Sequence, residues 1–190
     1  MHLRIASLLA YIGSGCAAAS LVLSLLEFSS LDLRGAELAT ASVVSGLLTM
    51  GTFFPLLPLT DALPAATWAR TTGVLWIALS AGVGTLEAVA PGTAGFLSGV
   101  FLMLLPLAAL WLAATSWNGK GPRALWGGVA ALGAVTHFAL FAVAASQRAA
   151  TSSGLRVAIL ATEVPFVVWL LLVGREFRTV RAPEPSTVPL

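Results

Sequence analysis

Residues 159–178, "ILATEVPFVVWLLLVGREFR", decide how this chain is read. A bilayer-crossing helix needs about 20 mostly apolar residues, and the run from Ile159 to Gly174, with the apolar residues before it, supplies them. A basic segment then begins at Arg175. Two residues are out of place in the run: Glu163 and, two positions later, Pro165. An ionisable side chain near a bilayer centre costs about 2.5–3.5 kcal/mol on insertion scales, so Glu163 calls for a partner or a cavity. Pro165 has no N–H to give the carbonyl of Ala161, which leaves a loosened backbone beside the acid.

The rest of the chain repeats the apolar pattern. Of 190 residues, 58% are hydrophobic and 9% charged, with a mean hydropathy of +0.94. Soluble chains run near a quarter charged, and so few charges do not cover a water-exposed globule of this size. Six segments of spanning length follow one another: 5–26, 38–59, 65–88, 94–117, 124–146 and 155–174. Short connections rich in turn formers join them, among them "TDALP", "APGT" and "NGKGPR". The expected fold is an all-α polytopic bundle of six membrane helices, with residues 1–176 forming the transmembrane domain and 177–190 a Pro-rich, disordered tail. The N-terminal "MHLRIASLLAYIGSGC" resembles a lipoprotein leader, but the apolar run continues past Cys16 and reads as a first span.

Charge sets the orientation. With the N-terminus inside, seven Lys and Arg residues lie on the inner side: Arg4, Arg70, Lys120, Arg123, Arg175, Arg178 and Arg181. Three (Arg34, Arg148 and Arg156) lie outside. The positive-inside rule then places both termini in the cytoplasm, as for a multi-pass protein of a bacterial inner membrane. The formal charge of +2 carries no basic groove with interleaved aromatics, so nucleic acid is excluded as a partner. The single cysteine, Cys16, excludes an intramolecular disulfide and a Cys-based metal cluster.

Packing devices are frequent. "GFLSG" sets Gly95 and Gly99 one turn apart as a close-approach face, and Gly127, Gly128 and Gly133 offer the same in the fifth span. Pro55, Pro58, Pro106 and Pro165 interrupt helical hydrogen bonding. Trp68, Trp117 and Trp126 fit an interfacial belt at the inner boundary. Trp76, Trp111 and Trp169 lie deeper, where they line a cavity or, the reading preferred here, serve packing or lipid contact. Six spans divide into two three-span halves of opposite topology, as in inverted-repeat transporters. Only "LLEFSS" and "TLEAVA" match between them, too little to establish a repeat.

Two ionisable residues fall well inside spans, His137 in the fifth and Glu163 in the sixth. They lie roughly 15 and 10 Å below the outer arginines Arg148 and Arg156, at a rise of 1.5 Å per residue. A short loop joins these spans, so antiparallel contact and a His137–Glu163 hydrogen bond or ion pair are expected. Arg156, two turns before Glu163 on the same face, is a second candidate partner. Glu163, His137 and Arg156 are the candidates for binding a ligand or a proton. The competing reading leaves Glu163 and His137 hydrogen-bonded between helices and nothing more.

Catalytic, cofactor and metal templates find no residues. His2 and His137, the only histidines, lie toward opposite faces, which excludes a three-ligand zinc site and a haem held by both. Lys120 sits in a Gly/Pro loop and not in a retinal pocket. "LSG" around Ser98 is similar to the nucleophile motif of rhomboid intramembrane proteases, whose histidine lies on the last core span, whereas His137 lies on the fifth.

The stretch "ATEVPFVVWLLLVG" resembles the last span of a bacterial family of uncharacterised multi-span membrane proteins, in which a Glu precedes an apolar Leu/Trp run closed by Gly. Glu163, Trp169 and Gly174 carry the likeness, which implies architecture and no chemistry. Three functional classes follow. The first is a small transporter or ligand-binding membrane protein that takes a proton or polar ligand around Glu163 and His137. The second is a structural or accessory subunit, partnered by copies of itself or by another membrane chain. The third is an intramembrane enzyme. In each the lipid bilayer is the first partner.

Overall fold

The computed structural model describes residues 3–28, 36–117, 119, 121–147 and 152–179, with side chains described except at 3, 26–28, 36, 38, 94–95, 144–147 and 152–159. Helices dominate, and among the described residues there is no strand. The long helices are α1 (Leu3–Phe28), α2 (Ala36–Phe53), α4 (Thr67–Val89), α7 (Pro122–Gln147) and α8 (Ser152–Thr179). Three shorter ones, α3 (Leu59–Ala62), α5 (Ala94–Met103) and α6 (Leu105–Trp117), complete the order. Among the described residues, five stretches are long and apolar enough to cross a membrane: Arg4–Leu25, Ala39–Ala62, Thr67–Val89, Phe96–Trp117 and Pro122–Val143. The helix α8 holds Glu163 and runs 28 residues, to Thr179, three past the expected domain boundary at 176. Residues 180–190, the expected tail, lie outside the described residues.

Proline sets the breaks. Pro55 and Pro58 convert the end of α2 into a 3-10 turn at Phe54–Leu56 and then the short α3. Pro106 does the same in "LLPL", dividing α5 from α6 at Leu104. Gly121 takes a positive φ of 69°, which a Cβ would resist, and Pro122 then opens α7 where its missing N–H is harmless. Pro165 does not break α8.

The helices form a closed ring in chain order. Each packs on its predecessor and successor: α1 on α2, α2 on α4, α4 on the α5–α6 pair, that pair on α7, and α7 on α8. The ring closes where α8 meets α1. Ser7 Oγ donates to the Gly174 carbonyl at 2.7 Å and Ser14 Oγ to that of Val167 at 3.2 Å, so the two run antiparallel in steady register. The start of α1 and the end of α8 therefore share one end of the bundle, called here the near end.

Glycines allow the closest approaches. Gly46 of α2 faces the backbone of Gly84 and Ala88 on α4, where any side chain would collide. Gly133 of α7 lies against the Ala161 carbonyl, the one that Pro165 leaves without its helical donor. The expected close-approach face at "GFLSG" is not used through Gly99, which meets open space among the described residues, and the same holds for Gly128. Glycine spacing marks a face able to accept a neighbour but not whether a neighbour comes.

Candidate functional site

A ring of six helices has a geometric consequence. If neighbouring axes stand about 8–10 Å apart, a regular ring leaves its centre the same distance from every axis, enough for a seventh helix. Side chains must fill that space or a cavity remains. Both outcomes occur along the axis of this bundle.

Toward the near end the space is filled by aromatic rings. Trp111 and Trp169 are both 0% exposed and meet edge-to-face at 5.3 Å between centroids. Trp76 lies 5.6 Å from Trp111, and Phe53 and Phe166 pack on Trp76 at 5.1 and 5.7 Å. Gly73 sits against Trp111, and Gly127 against Trp169 and Ser116, so two helices give up side chains to admit indoles. The indole N–H groups of Trp76, Trp111 and Trp169 have no acceptor among the described residues. The three deeper tryptophans are thus packed at the centre and not against lipid. Trp68 and Trp117, by contrast, are exposed, at the start of α4 and the end of α6.

Beyond the aromatic cluster the axis is hollow. A cavity of about 330 Å³ is lined from all the long helices and from the α5–α6 pair. Its floor is Phe53, Trp76, Phe101 and Phe166; its walls carry Ser20, Ser24, Ser45, Thr49, His137, Thr162 and Glu163. Glu87 and Ser98 line it toward the far end, Glu87 lying two residues before α4 stops. Glu163 stands 11 residues from the start of α8 and 16 from its end, close to mid-bundle.

The register of α7 against α8 brings His137 and Glu163 to one level and one cavity. Gly127 lies opposite Trp169 and Gly133 opposite Ala161 and Thr162, and His137, one turn beyond Gly133, reaches back to Thr162 with its ring. His137 is 7% exposed, and its Nδ1 stands 3.4 Å from Thr162 Oγ1, a long contact. The expected His137–Glu163 bond is therefore replaced by one to the neighbouring residue. Among the described residues the Glu163 carboxyl has no hydrogen-bond or ion-pair partner. The Arg156 side chain, the other candidate partner, lies outside the described residues.

Ser98 shares the cavity without reaching His137. Ser116 lies opposite Gly127, which puts His137 level with Pro106, and Ser98 is on the order of 10 Å beyond. No group of three His, Cys, Asp or Glu suited to a metal ion occurs among the described residues.

The remaining wall residues have a readable signal. Ser20 and Ser24 on α1, and Ser45 and Thr49 on α2, are four apart and so share a face. Alone, such a pair reads as small-residue packing against a neighbour. It becomes a cavity wall only once the ring is known.

Near the other end of α7, Arg123 is buried and pairs through Nε with Glu176 Oε2 at 2.5 Å. This ion pair clasps the start of α7 to the end of α8 and is separate from the cavity. No known protein family, curated protein or solved structure matches the chain.

Proposed function

We propose that this chain is a six-span protein of a bacterial inner membrane, with both termini cytoplasmic, that binds a small polar ligand or a proton in its central cavity, as a small transporter does. The observation carrying the reading is Glu163: a carboxyl group near mid-bundle, facing a cavity, without a partner among the described residues. A carboxyl group that served only to hold helices together would be engaged by one of them, since buried polar groups are costly unless bonded. Intramembrane ionisable residues in cavities mark ligand and ion pathways. His137, held against Thr162 at the same level, gives the site a second group able to accept or donate.

The distribution of basic residues makes the near end cytoplasmic, so the wall formed by Ser24, Ser45 and Glu87 faces outward. Ligand then enters from the outer side and meets Glu163 at the depth where the aromatic cluster blocks further passage. Transport would require that cluster to part, and the α5–α6 break at Leu104 and the loosened backbone at Pro165 are the places where helices can bend.

The test is cysteine accessibility. In a Cys16→Ala background, Ser24→Cys and Thr49→Cys are treated in intact cells with a membrane-impermeant trimethylammonium methanethiosulfonate. Both should react from the outside, whereas Leu47→Cys, on the exposed surface of α2, should not. Failure of both cavity cysteines to react would overturn the reading and favour an accessory subunit.

A further inference from the structure

Resting on the cavity reading above, we propose that the ligand is a small organic cation, an amine or quaternary ammonium, whose nitrogen meets Glu163 while its apolar part lies on the rings below. Charge argues first. The cavity is lined by two carboxyl groups, Glu87 and Glu163, and one imidazole, with no lysine or arginine among the described lining residues. Glu163 would repel a bound anion, and among the described lining residues no lysine or arginine would hold one.

The floor argues second. Phe53, Trp76 and Phe166 form one aromatic surface, with Phe101 beside Phe53 at 5.9 Å. Aromatic faces are electron-rich and attract a cation stripped of water. Glu163 and Phe166 are three residues apart on one helix, so carboxyl group and ring address the same space. A proton site needs neither a ring surface nor room, whereas an alkylammonium uses both.

Size and polarity argue third. A volume of about 330 Å³ is at the small end of ligand pockets. The hydroxyls of Ser20, Ser45 and Thr49 supply acceptors for ammonium N–H groups. Carboxylate, hydroxyls and rings together form the mixed surface that a small amphipathic cation requires.

The experiment titrates the unmodified protein in lipid nanodiscs with benzyltrimethylammonium, followed by calorimetry and tryptophan fluorescence, Trp76 being in the cavity wall. Neopentylbenzene, its neutral carbon isostere, and benzenesulfonate, an anion of similar size, are the controls. Saturable binding of the cation alone is expected, weakened at least about tenfold in Glu163→Gln, because one partner of a buried charge pair is removed. Equal binding of neopentylbenzene, preferred binding of benzenesulfonate, or unchanged affinity in a folded Glu163→Gln protein would each overturn the assignment. The probe series uses the native sequence, so it stands even if the variant does not fold. If the Ser24 and Thr49 cysteines react from outside but no cation binds, the cation assignment fails while the cavity reading survives. If they do not react, the reading itself fails.

Discussion

The two halves of the bundle solve one packing problem in opposite ways. Both face the open centre of a six-helix ring. The near half fills it with Trp111, Trp169, Trp76 and Phe166, and removes side chains at Gly73 and Gly127 to make room. The far half lines it with Ser20, Ser24, Ser45 and Thr49 and leaves it hollow. The same helices run through both halves, so backbone geometry does not explain the difference. Side-chain volume at a few inward positions does. In lipid, where apolar burial drives little helix association, close packing in the near half accounts for the cohesion of the ring while the far half stays hollow.

This contrast can be broken by mutation. Truncating the filled half should have the largest effect. Trp169→Ala removes a wholly buried indole, and by analogy with soluble cores should cost about 3–5 kcal/mol. Unfolding in mixed detergent and dodecyl sulfate micelles measures this, and a loss below the error of that titration would show that the cluster is not what holds the ring. Next comes Gly127→Ala, whose new methyl meets Ser116 and Trp169 and should cost about 1–3 kcal/mol. Gly128→Ala, one residue on and facing open space, should instead gain up to about 1 kcal/mol from helix propensity. Equal responses from the two neighbours would refute the packing described here.

Smaller effects sharpen the comparison. Glu176→Gln leaves Arg123 buried without its counter-charge, but Glu176 is itself half exposed, so the expected loss is about 1 kcal/mol. A melting point that does not move in detergent would mean that Arg123 finds other acceptors. Least of all should stability respond to Ser20→Leu, which puts an apolar side chain into empty space. The expected change in stability is within about 0.5 kcal/mol, with loss of benzyltrimethylammonium binding. If Ser20→Leu destabilises as much as Gly127→Ala, the far half is packed after all.

What could be read beforehand follows from which signals are local. Helix length and apolar character are local, so the stretch around each helix was legible, and so was the break that Pro106 imposes between α5 and α6. Glu163 and His137 stood out because insertion cost depends on residue type and depth alone. Their relation did not, because the contact made by His137 depends on a register difference of one residue, Thr162 against Glu163. Helix faces were the least legible. Gly99 and Gly46 look alike in sequence, yet only Gly46 meets another backbone. The seam between α1 and α8 rests on Ser7 and Ser14, which resemble any serines in an apolar helix. The cavity is a property of the closed ring and has no counterpart in any one segment.

That seam has a consequence for biosynthesis. As the ribosome delivers these helices in ring order, α1 is made before the other helices of the ring and waits for a partner that follows all of them. Until α8 arrives, Ser7 and Ser14 face lipid, or whatever insertion factor shields them, and can bond only to their own helix. Every other neighbour in the ring follows directly in synthesis, and this pair alone spans nearly the whole chain. A chain that stopped before α8 would therefore leave two unmatched flanks, on α1 and on α7.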